Sequence, residues 1–274
     1  MKYFLCFRVA PLLSCSLFAA TSIGAALLAV LMFGSCASQI ATRPSGETAT
    51  ARFAEAPMDH PGLGTKWGET RTSHVGFTDF VRANPAHPIA TATMYYNDAA
   101  GVRAMVGAVA WRYGWPLLPA PTQSLISAGL QDQSGHFLPG VIVGDRWFVV
   151  GEEGRRYSIV VRNKTNLRLE IVLSVDGLDV IDGRKASLRK PGYLMAPHSQ
   201  LVVEGFRQST EAVAAFRFSP VRESYAAEKY HNTKNVGVIG VAVFNERGTN
   251  PWTNPEVQRR LNANPFPGRF ATPP

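Results

Sequence analysis

The sequence contains little cysteine, and none of it lies where a disulfide could crosslink the folded part. Of its three cysteines, Cys6 and Cys15 fall in an apolar N-terminal segment and Cys36 lies at the end of that segment. Disulfides within the remaining chain are therefore excluded. The fold must be stabilised by packing alone, which is feasible for a chain of this length.

Acidic residues are missing from the first 35 positions. This segment has two basic residues, Lys2 and Arg8, followed by a run from 9 to 33 that is apolar with few polar interruptions. A short basic stretch before a long apolar run is typical of an export signal and not of a folded element. We therefore predict that residues 1–35 are a signal peptide and leave them out of the expected fold.

The end of this run reads LMFGSC and finishes at Cys36. It resembles the lipobox of bacterial lipoproteins, in which small residues precede a cysteine that is acylated, carries chains such as palmitate, and becomes the new N-terminus. Gly34 and Ser35 fit the small positions, while Phe33 stands where the family usually has leucine. The resemblance implies a lipid anchor on Cys36. Ala37, where the family's retention signal is typically aspartate, implies sorting to the outer membrane.

Two other interpretations of the apolar run stay open. From Val9 to Phe33 it is 25 residues long, and about 20 residues span a bilayer, so it could remain as a transmembrane anchor. Lys2 and Arg8 would then keep the N-terminus in the cytoplasm. The run could also be an ordinary cleaved signal. All three interpretations export the body of the protein.

Basic residues exceed acidic ones only moderately. The formal net charge is +8, with 28 Lys and Arg against 20 Asp and Glu, and most of the cations are scattered. Nucleic-acid binding is therefore not expected, whereas attraction to anionic envelope polymers or lipid head groups fits this charge.

Motifs of the common catalytic classes are also missing. There is no G-x-S-x-G elbow and no H-x-H or H-E-x-x-H pair, and the one S-x-x-K string, Ser187 to Lys190, lacks its companion strings. An acylated Cys36 would have no thiol for nucleophilic catalysis. A non-enzymatic function is favoured, although a site assembled from distant loops stays open.

What the sequence does contain is a strand pattern, clearest at 156–175. Apolar and polar residues alternate in two stretches that residues 163–166 separate, which predicts a half-buried β-hairpin. A second hairpin is expected around the dipeptide at 144–145. Further strands are predicted at 89–96, 201–206, 213–218 and 236–244, the last of them apolar on both faces and therefore central in its sheet.

Many short strands and few helices predict a mainly β protein: an antiparallel β-sandwich or jelly-roll-like fold, with a few short helices in the N-terminal half. The glycine-rich stretch 62–84 is expected to be a loop, and Asp98 to cap a helix with Val102 and Met105 facing inward. The predicted organisation is signal peptide 1–35, tether 36–60, mixed segment packing on the sandwich 61–140, β-sandwich 141–247 and C-terminal tail 248–274.

Two groups of residues are candidates for a site. Aspartates recur every third residue at Asp176, Asp179 and Asp182; such carboxylates could bind calcium, but the spacing is not that of an EF-hand and Asp-Gly pairs also simply form turns. Cations cluster beside an aromatic in a loop that could recognise a glycan, a peptidoglycan strand or a protein, or could be an ordinary solvated loop. The members of this second group are Arg184, Lys185, Arg189, Lys190 and Tyr193.

The expected function follows from the anchor and from the missing catalytic motifs. We expect a membrane-anchored cell-envelope lipoprotein that acts as a non-enzymatic binding or assembly module, with an envelope protein or glycan as partner. One alternative is an envelope hydrolase acting on glycans or esters, which a cleft with two carboxylates would favour. The other is a subunit of a secretion or appendage complex, which a long exposed strand edge would favour.

Overall fold

Strands supply most of the backbone in the computed structural model, which describes residues 2–7, 60–111, 120–122, 125–143, 146–250 and 254–263. The strands are β1 (Lys2–Phe7), β2 (Leu63–Thr72), β3 (His74–Asp79), β4 (Ala90–Asn97), β5 (Ala120–Thr122), β6 (Ile126–Asp132), β7 (Gly140–Val143), β8 (Arg146–Val150), β9 (Arg156–Asn163), β10 (Leu169–Val175), β11 (Leu178–Asp179), β12 (Tyr193–Met195), β13 (Gln200–Val203), β14 (Gly205–Arg207), β15 (Ala212–Pro220) and β16 (Val238–Asn245). The helices are α1 (Ala99–Trp111), α2 (Tyr225–Tyr230) and α3 (Asn254–Leu261), with a 3₁₀ turn at Val221–Glu223.

The strands form two sheets. The first sheet has the order β3-β1-β12-β10-β16-β4-β8-β7, with β11 paired to β10. The second sheet has the order β14-β15-β9-β6-β5, with β13 paired to β9 and β2 paired to β15. Most neighbours are antiparallel, but β1 runs parallel to β12 and β4 runs parallel to β8.

One core lies between the two sheets. Successive side chains of a strand point to opposite faces, so every second residue of each strand enters this core. The second sheet contributes Tyr157, Ile159, Val161, Phe216 and Phe218, and the first sheet contributes Met94, Leu169, Ile171, Leu173 and Val241. The predicted mainly β sandwich is thereby confirmed.

The predicted hairpin at 156–175 is wrong in its pairing. β9 belongs to the second sheet and β10 to the first, so the two strands face each other across the core and are not hydrogen-bonded neighbours. Asn163 closes the crossing loop, because its Nδ2 donates to the carbonyls of Leu167 and Ala196 and its Oδ1 accepts from Thr165 N. Alternation shows which face of a strand is buried, but it does not show which strand pairs with it.

The predicted division at residue 141 also needs correction. Residues 61–140 do not pack on a finished sandwich; they supply β4, which lies between β16 and β8 in the first sheet, and β6, which lies between β9 and β5 in the second. Composition does not distinguish a strand inserted into a sheet from a strand that packs against the sheet, because both bury one apolar face.

The stretch 62–84 is two strands and not a glycine-rich loop. Its glycines lie where neighbours come close: a Cβ on Gly64 would meet Ser224 Cβ at 2.7 Å, and a Cβ on Gly68 would meet the carbonyl oxygen of Ala215 at 2.5 Å. The β2–β15 register also shifts between Ala214 and Phe216. Glycine therefore marks close approach and a bulge here, as it can in any strand.

Two other strand predictions are confirmed. β7 and β8 are antiparallel and pair Val143 with Arg146, as a hairpin around 144–145 requires. β16 lies between β10 and β4 and is buried on both faces. A Cβ on Gly240 would lie 2.6 Å from Ser174 Oγ, so a larger residue here would displace the Ser174 hydroxyl.

The predicted helix at Asp98 is confirmed, with one inward residue wrong. Asp98 Oδ1 accepts a hydrogen bond from Gly101 N at 2.6 Å, as an N-cap does. Val102 is buried against β7 and β8, whereas Met105 is exposed. The helix is kinked at Gly107, where φ is 78°.

Most of the predicted signal peptide lies outside the described residues, and so does Cys36. Its first residues form β1, which pairs antiparallel with β3 from Lys2–Asp79 to Phe7–His74. The leader therefore stays a prediction. Among the described residues, no helix is long and apolar enough to cross a bilayer.

Candidate functional site

The three aspartates of the candidate calcium site do not converge. The carboxylate of Asp176 accepts a hydrogen bond from the hydroxyl of Tyr96 in β4. Asp179 Oδ1 accepts from the backbone N–H of Asp182 at 3.1 Å, and Asp182 Oδ1 accepts from Lys190 Nζ at 2.8 Å. In the described part of the chain, no group of three or more His, Cys, Asp or Glu side chains is placed to hold a metal ion.

Asp176 lies in a tight turn and is buried. It and Gly177, the two residues between β10 and β11, have φ values of 54° and 77°, as a type I′ hairpin turn requires. Its Oδ1 accepts from Tyr96 OH at 2.6 Å and from Gly237 N at 2.9 Å. Its Oδ2 accepts from Thr65 N at 2.8 Å. One carboxylate thus ties together a turn and three distant segments.

Thr65 extends this network to a second tyrosine. Its Oγ1 lies 2.7 Å from Tyr96 OH and 2.6 Å from Tyr157 OH. Burial raises the pKa of Asp176 to about 6, against the opposing effect of its hydrogen bonds. Burial also raises the pKa of both tyrosines well above its ordinary value. Because Asp176 is only 4% exposed, this network can stabilise the sandwich but cannot reach a substrate.

The predicted recognition surface lies in the loop 183–192, here called the basic loop. Arg184, Lys185 and Arg189 are exposed, and none of their side chains forms an ion pair within the described residues. Lys190 is half-buried and pairs with Asp182. Within the part of the chain that the structure describes, the surface therefore presents three cations without an ion-pair partner.

Tyr193 does not belong to this surface, which corrects the prediction. It begins β12, is 1% exposed, and its side chain is part of the core between the sheets. Its hydroxyl accepts a hydrogen bond from Arg207 Nε at 3.2 Å. Tyr193 follows the cations closely in the sequence, but because it belongs to β12 its side chain points into the core.

A buried ion pair holds the basic loop against the outer face of the first sheet. Arg82 Nε and Nη2 donate to the carboxylate of Glu170 at 2.6 and 2.8 Å. The same guanidinium donates to the carbonyls of Leu188 and Lys190, and Glu170 Oε1 accepts from Gly192 N at 2.6 Å. The two buried charges thus bond to three backbone groups of the loop.

Sequence reasoning missed this pair. Glu170 occupies a polar place in an alternating strand, which predicts solvent exposure, yet its side chain is 0% exposed and that of Arg82 is 6% exposed. The available signal in the sequence was the neighbouring strand β16, which is apolar on both faces. Phe244 of β16 covers this outer face, and the guanidinium carbon Cζ of Arg82 lies 3.8 Å from the centroid of its ring. A covered outer face demands a partner for any charge on it.

An open groove of about 280 Å³ runs beside the basic loop on this outer face. Its floor comes from the three adjacent strands β10, β16 and β4, and the loop forms one wall. The lining is mainly apolar, with Ala92, Val172, Ala186, Leu188, Val241 and Ala242 beside Gly240, and its hydroxyls come from Thr91, Thr93, Ser174 and Ser187. Such a groove offers an apolar surface with a few hydroxyls next to the exposed cations of the basic loop.

A second cavity, of about 310 Å³, lies at one end of the sandwich. Two carboxylates line it, Asp132 and Glu152, together with Arg155 and the ring of Phe218. Asp132 Oδ1 accepts from the backbone N–H of Ser134 at 2.8 Å, and Glu152 Oε2 lies 3.3 Å from Arg155 Nε. Both carboxylates are thus engaged within their own turns.

Comparison of the chain with protein-family models, with curated proteins and with solved structures found no match.

Proposed function

We propose that this protein is an exported cell-envelope lipoprotein, anchored through Cys36, whose folded body binds an anionic glycan of the envelope without catalysing a reaction. The anchor rests on the resemblance of the leader to a lipobox. Binding rests on one observation: three exposed cations stand on a loop that a buried ion pair fixes beside a mainly apolar groove with four hydroxyl side chains. An outer-membrane anchor would let this loop face the peptidoglycan.

The physical case for binding is preorganisation. A flexible basic loop loses conformational entropy when it docks, whereas a loop already held in place by bonds to Arg82 and Glu170 loses little. The cations can meet carboxylates of an extended polymer, while hydroxyls of Thr91, Thr93 and Ser187 can hydrogen-bond its sugars. Anionic peptidoglycan has both kinds of group.

Co-sedimentation with purified peptidoglycan sacculi tests the binding. We expect the triple variant Arg184→Gln, Lys185→Gln and Arg189→Gln to lose about tenfold or more in affinity, since each lost charge contact removes up to about 1 kcal/mol. The matched control removes three exposed cations elsewhere: Lys164→Gln, Lys234→Gln and Arg247→Gln. Equal losses in the two variants would show a nonspecific charge effect and reject the proposed surface.

The anchor has its own test. Mass spectrometry of the protein extracted from membranes should find an N-terminus at Cys36 with acyl chains attached. A mature chain with an unmodified start elsewhere would reject the lipoprotein proposal while leaving glycan binding to be judged by sedimentation.

An envelope hydrolase is the second candidate, and the end cavity is the observation that favours it. Asp132 and Glu152 both line that cavity, and paired carboxylates are the groups that cleave glycosidic bonds. If it were the active site, Asp132→Asn and Glu152→Gln would each abolish release of soluble fragments from sacculi. We expect no such release from the unaltered protein.

A further inference from the structure

Strand β1 fills a gap in the first sheet between two strands that do not touch each other. It pairs with β3 over six residues and with β12 at Phe4–Tyr193 and Leu5–Leu194. In the first sheet of the described residues, β3 has no neighbour except β1, and β12 has only β1 and β10. Removal of β1 would therefore leave β3 unpaired and one edge of β12 open.

The rims of this gap are tied to the body independently of β1. At the start of β3, Ser73 N and Val75 N donate to the carbonyls of Glu211 and Thr210. Beyond its end, the Val81 carbonyl accepts from Arg247 N. β12 is held on its other side by β10. Two strand spacings of nearly 5 Å each separate the rims, so the opening would stay about 10 Å wide.

The β3 rim presents unsatisfied hydrogen-bonding groups once β1 is absent. N–H groups alternate sides along a strand, and the Val75 N–H is used by Thr210, so the N–H groups of Gly76 and Thr78 face β1. The β12 rim is also apolar on both faces of the sheet, since Tyr193 belongs to the core between the sheets and Leu194 packs on the opposite face. The β3 rim contributes Val75 to the core and has His74, Gly76 and Thr78 on its other face.

The proposed processing step and the pairing of β1 cannot both hold in the mature protein, and this conflict points to a partner. If processing occurs at Cys36, residues 2–7 leave with the leader and cannot remain as β1. We propose that the gap between β3 and β12 in the processed protein is an acceptor for an extended apolar strand donated by another envelope protein. The strand would run parallel to β12 and antiparallel to β3, as β1 does. This inference rests on the processing step of the proposed function and not on glycan binding.

The sequence indicates that the donor is not the tether of this chain. The segment that fits the gap, KYFLCF, is apolar at five of its six positions. The chain from 37 to 60 is rich in Ala, Thr, Ser, Pro and Gly, with no comparable apolar run. Neither its own tether nor that of a second copy therefore supplies an apolar run like the one that fills the gap as β1.

Hydrogen exchange on the membrane-extracted protein tests this inference. Intact mass first establishes that the chain begins at Cys36. The probe is a synthetic peptide of residues 1–8 carrying Cys6→Ser, and the control peptide carries Leu5→Pro in addition, because proline cannot pair with a strand on both sides. We expect fast exchange at the amides of Gly76 and Thr78 in the processed protein, slowed about tenfold or more by the probe and not by the control. The amide of Val75, which bonds to the Thr210 carbonyl, serves as an internal control that stays protected.

Every other result overturns the inference, and each result indicates a different cause. Slow exchange at Gly76 and Thr78 in a processed monomer would mean that the chain's own tether fills the gap. Slow exchange there in a processed dimer would mean that a second copy fills it. Fast exchange that the probe does not slow would mean that the gap accepts no strand. An intact N-terminus at Met1 would reject the processing step itself, and the mass measurement separates that outcome from the others.

Discussion

Two buried carboxylates, one on each face of the first sheet, are stabilised in different ways. Glu170, on the outer face, bonds to a guanidinium and to Gly192 N. Asp176, on the core side, accepts hydrogen bonds from one hydroxyl and two backbone N–H groups, and no cation bonds to it within the described residues. The charged pair fastens a surface loop, and the uncompensated carboxyl fastens a turn to the core. In the proposed function the first carboxylate serves binding, whereas the second serves stability.

Removing one member of the charged pair should have the largest effect. Glu170→Ala leaves the Arg82 guanidinium buried without a counter-charge, so we expect a loss of about 3–5 kcal/mol in the free energy of unfolding. Urea denaturation measures it. The double variant Arg82→Met with Glu170→Leu should lose much less, because neither charge then remains buried. A double variant as unstable as the single one would contradict this account.

Replacing Asp176 should have the next largest effect. Asp176→Ala leaves the hydroxyl of Tyr96 and the N–H groups of Thr65 and Gly237 without their acceptor and strains a backbone with φ of 54°. We expect a loss of about 3 kcal/mol by urea denaturation. Asp176→Asn should cost less, since asparagine tolerates this backbone and retains one acceptor oxygen. Equal losses for Ala and Asn would show that the hydrogen bonds contribute little.

Because no cation bonds to Asp176 within the described residues, its burial should make the stability of the protein depend on pH. Burial raises the pKa of Asp176 from its ordinary 3.8 to about 6, so the folded state binds the proton more tightly than the unfolded state. Its contribution is therefore greatest below about pH 4 and is lost as the pH rises to about 6, by roughly 3 kcal/mol in total.

The measurement compares the melting temperatures of the unaltered protein and Asp176→Asn across this range. The difference should change between about pH 4 and pH 6 and level off above. Asp179, whose pKa burial also raises, is present in both proteins and cancels. A difference that is constant with pH would contradict a raised pKa at Asp176.

Thr65 should give the smallest of these effects. Thr65→Val removes the hydroxyl that joins Tyr96 OH to Tyr157 OH while nearly keeping the volume, so we expect a loss of about 1–2 kcal/mol in the free energy of unfolding. Thr65→Ser keeps the hydroxyl and serves as the control. Greater stability of the valine variant than of the serine variant would contradict the role of this hydroxyl.

The sequence predicted the sandwich better than it predicted the burial of Asp176 or Glu170. Alternation correctly marked the buried faces of β9 and β10, because the period of a strand is local, but their pairing depends on partners far along the chain. Asp176 and Glu170 were both placed at the surface, one as a turn or calcium ligand and one as a solvated strand residue. Their burial is set by Tyr96 and Arg82, about 80 to 90 residues away, and such contacts leave no local pattern.

The central claim is that the buried ion pair makes the basic loop a binding element by holding it in place. The double variant Arg82→Met with Glu170→Leu tests it directly, because it leaves Arg184, Lys185, Arg189 and the net charge unchanged. Provided the variant unfolds cooperatively, its affinity for peptidoglycan sacculi should fall about tenfold, as ordering a released loop costs more than about 1 kcal/mol. An affinity equal to that of the unaltered protein would contradict the claim.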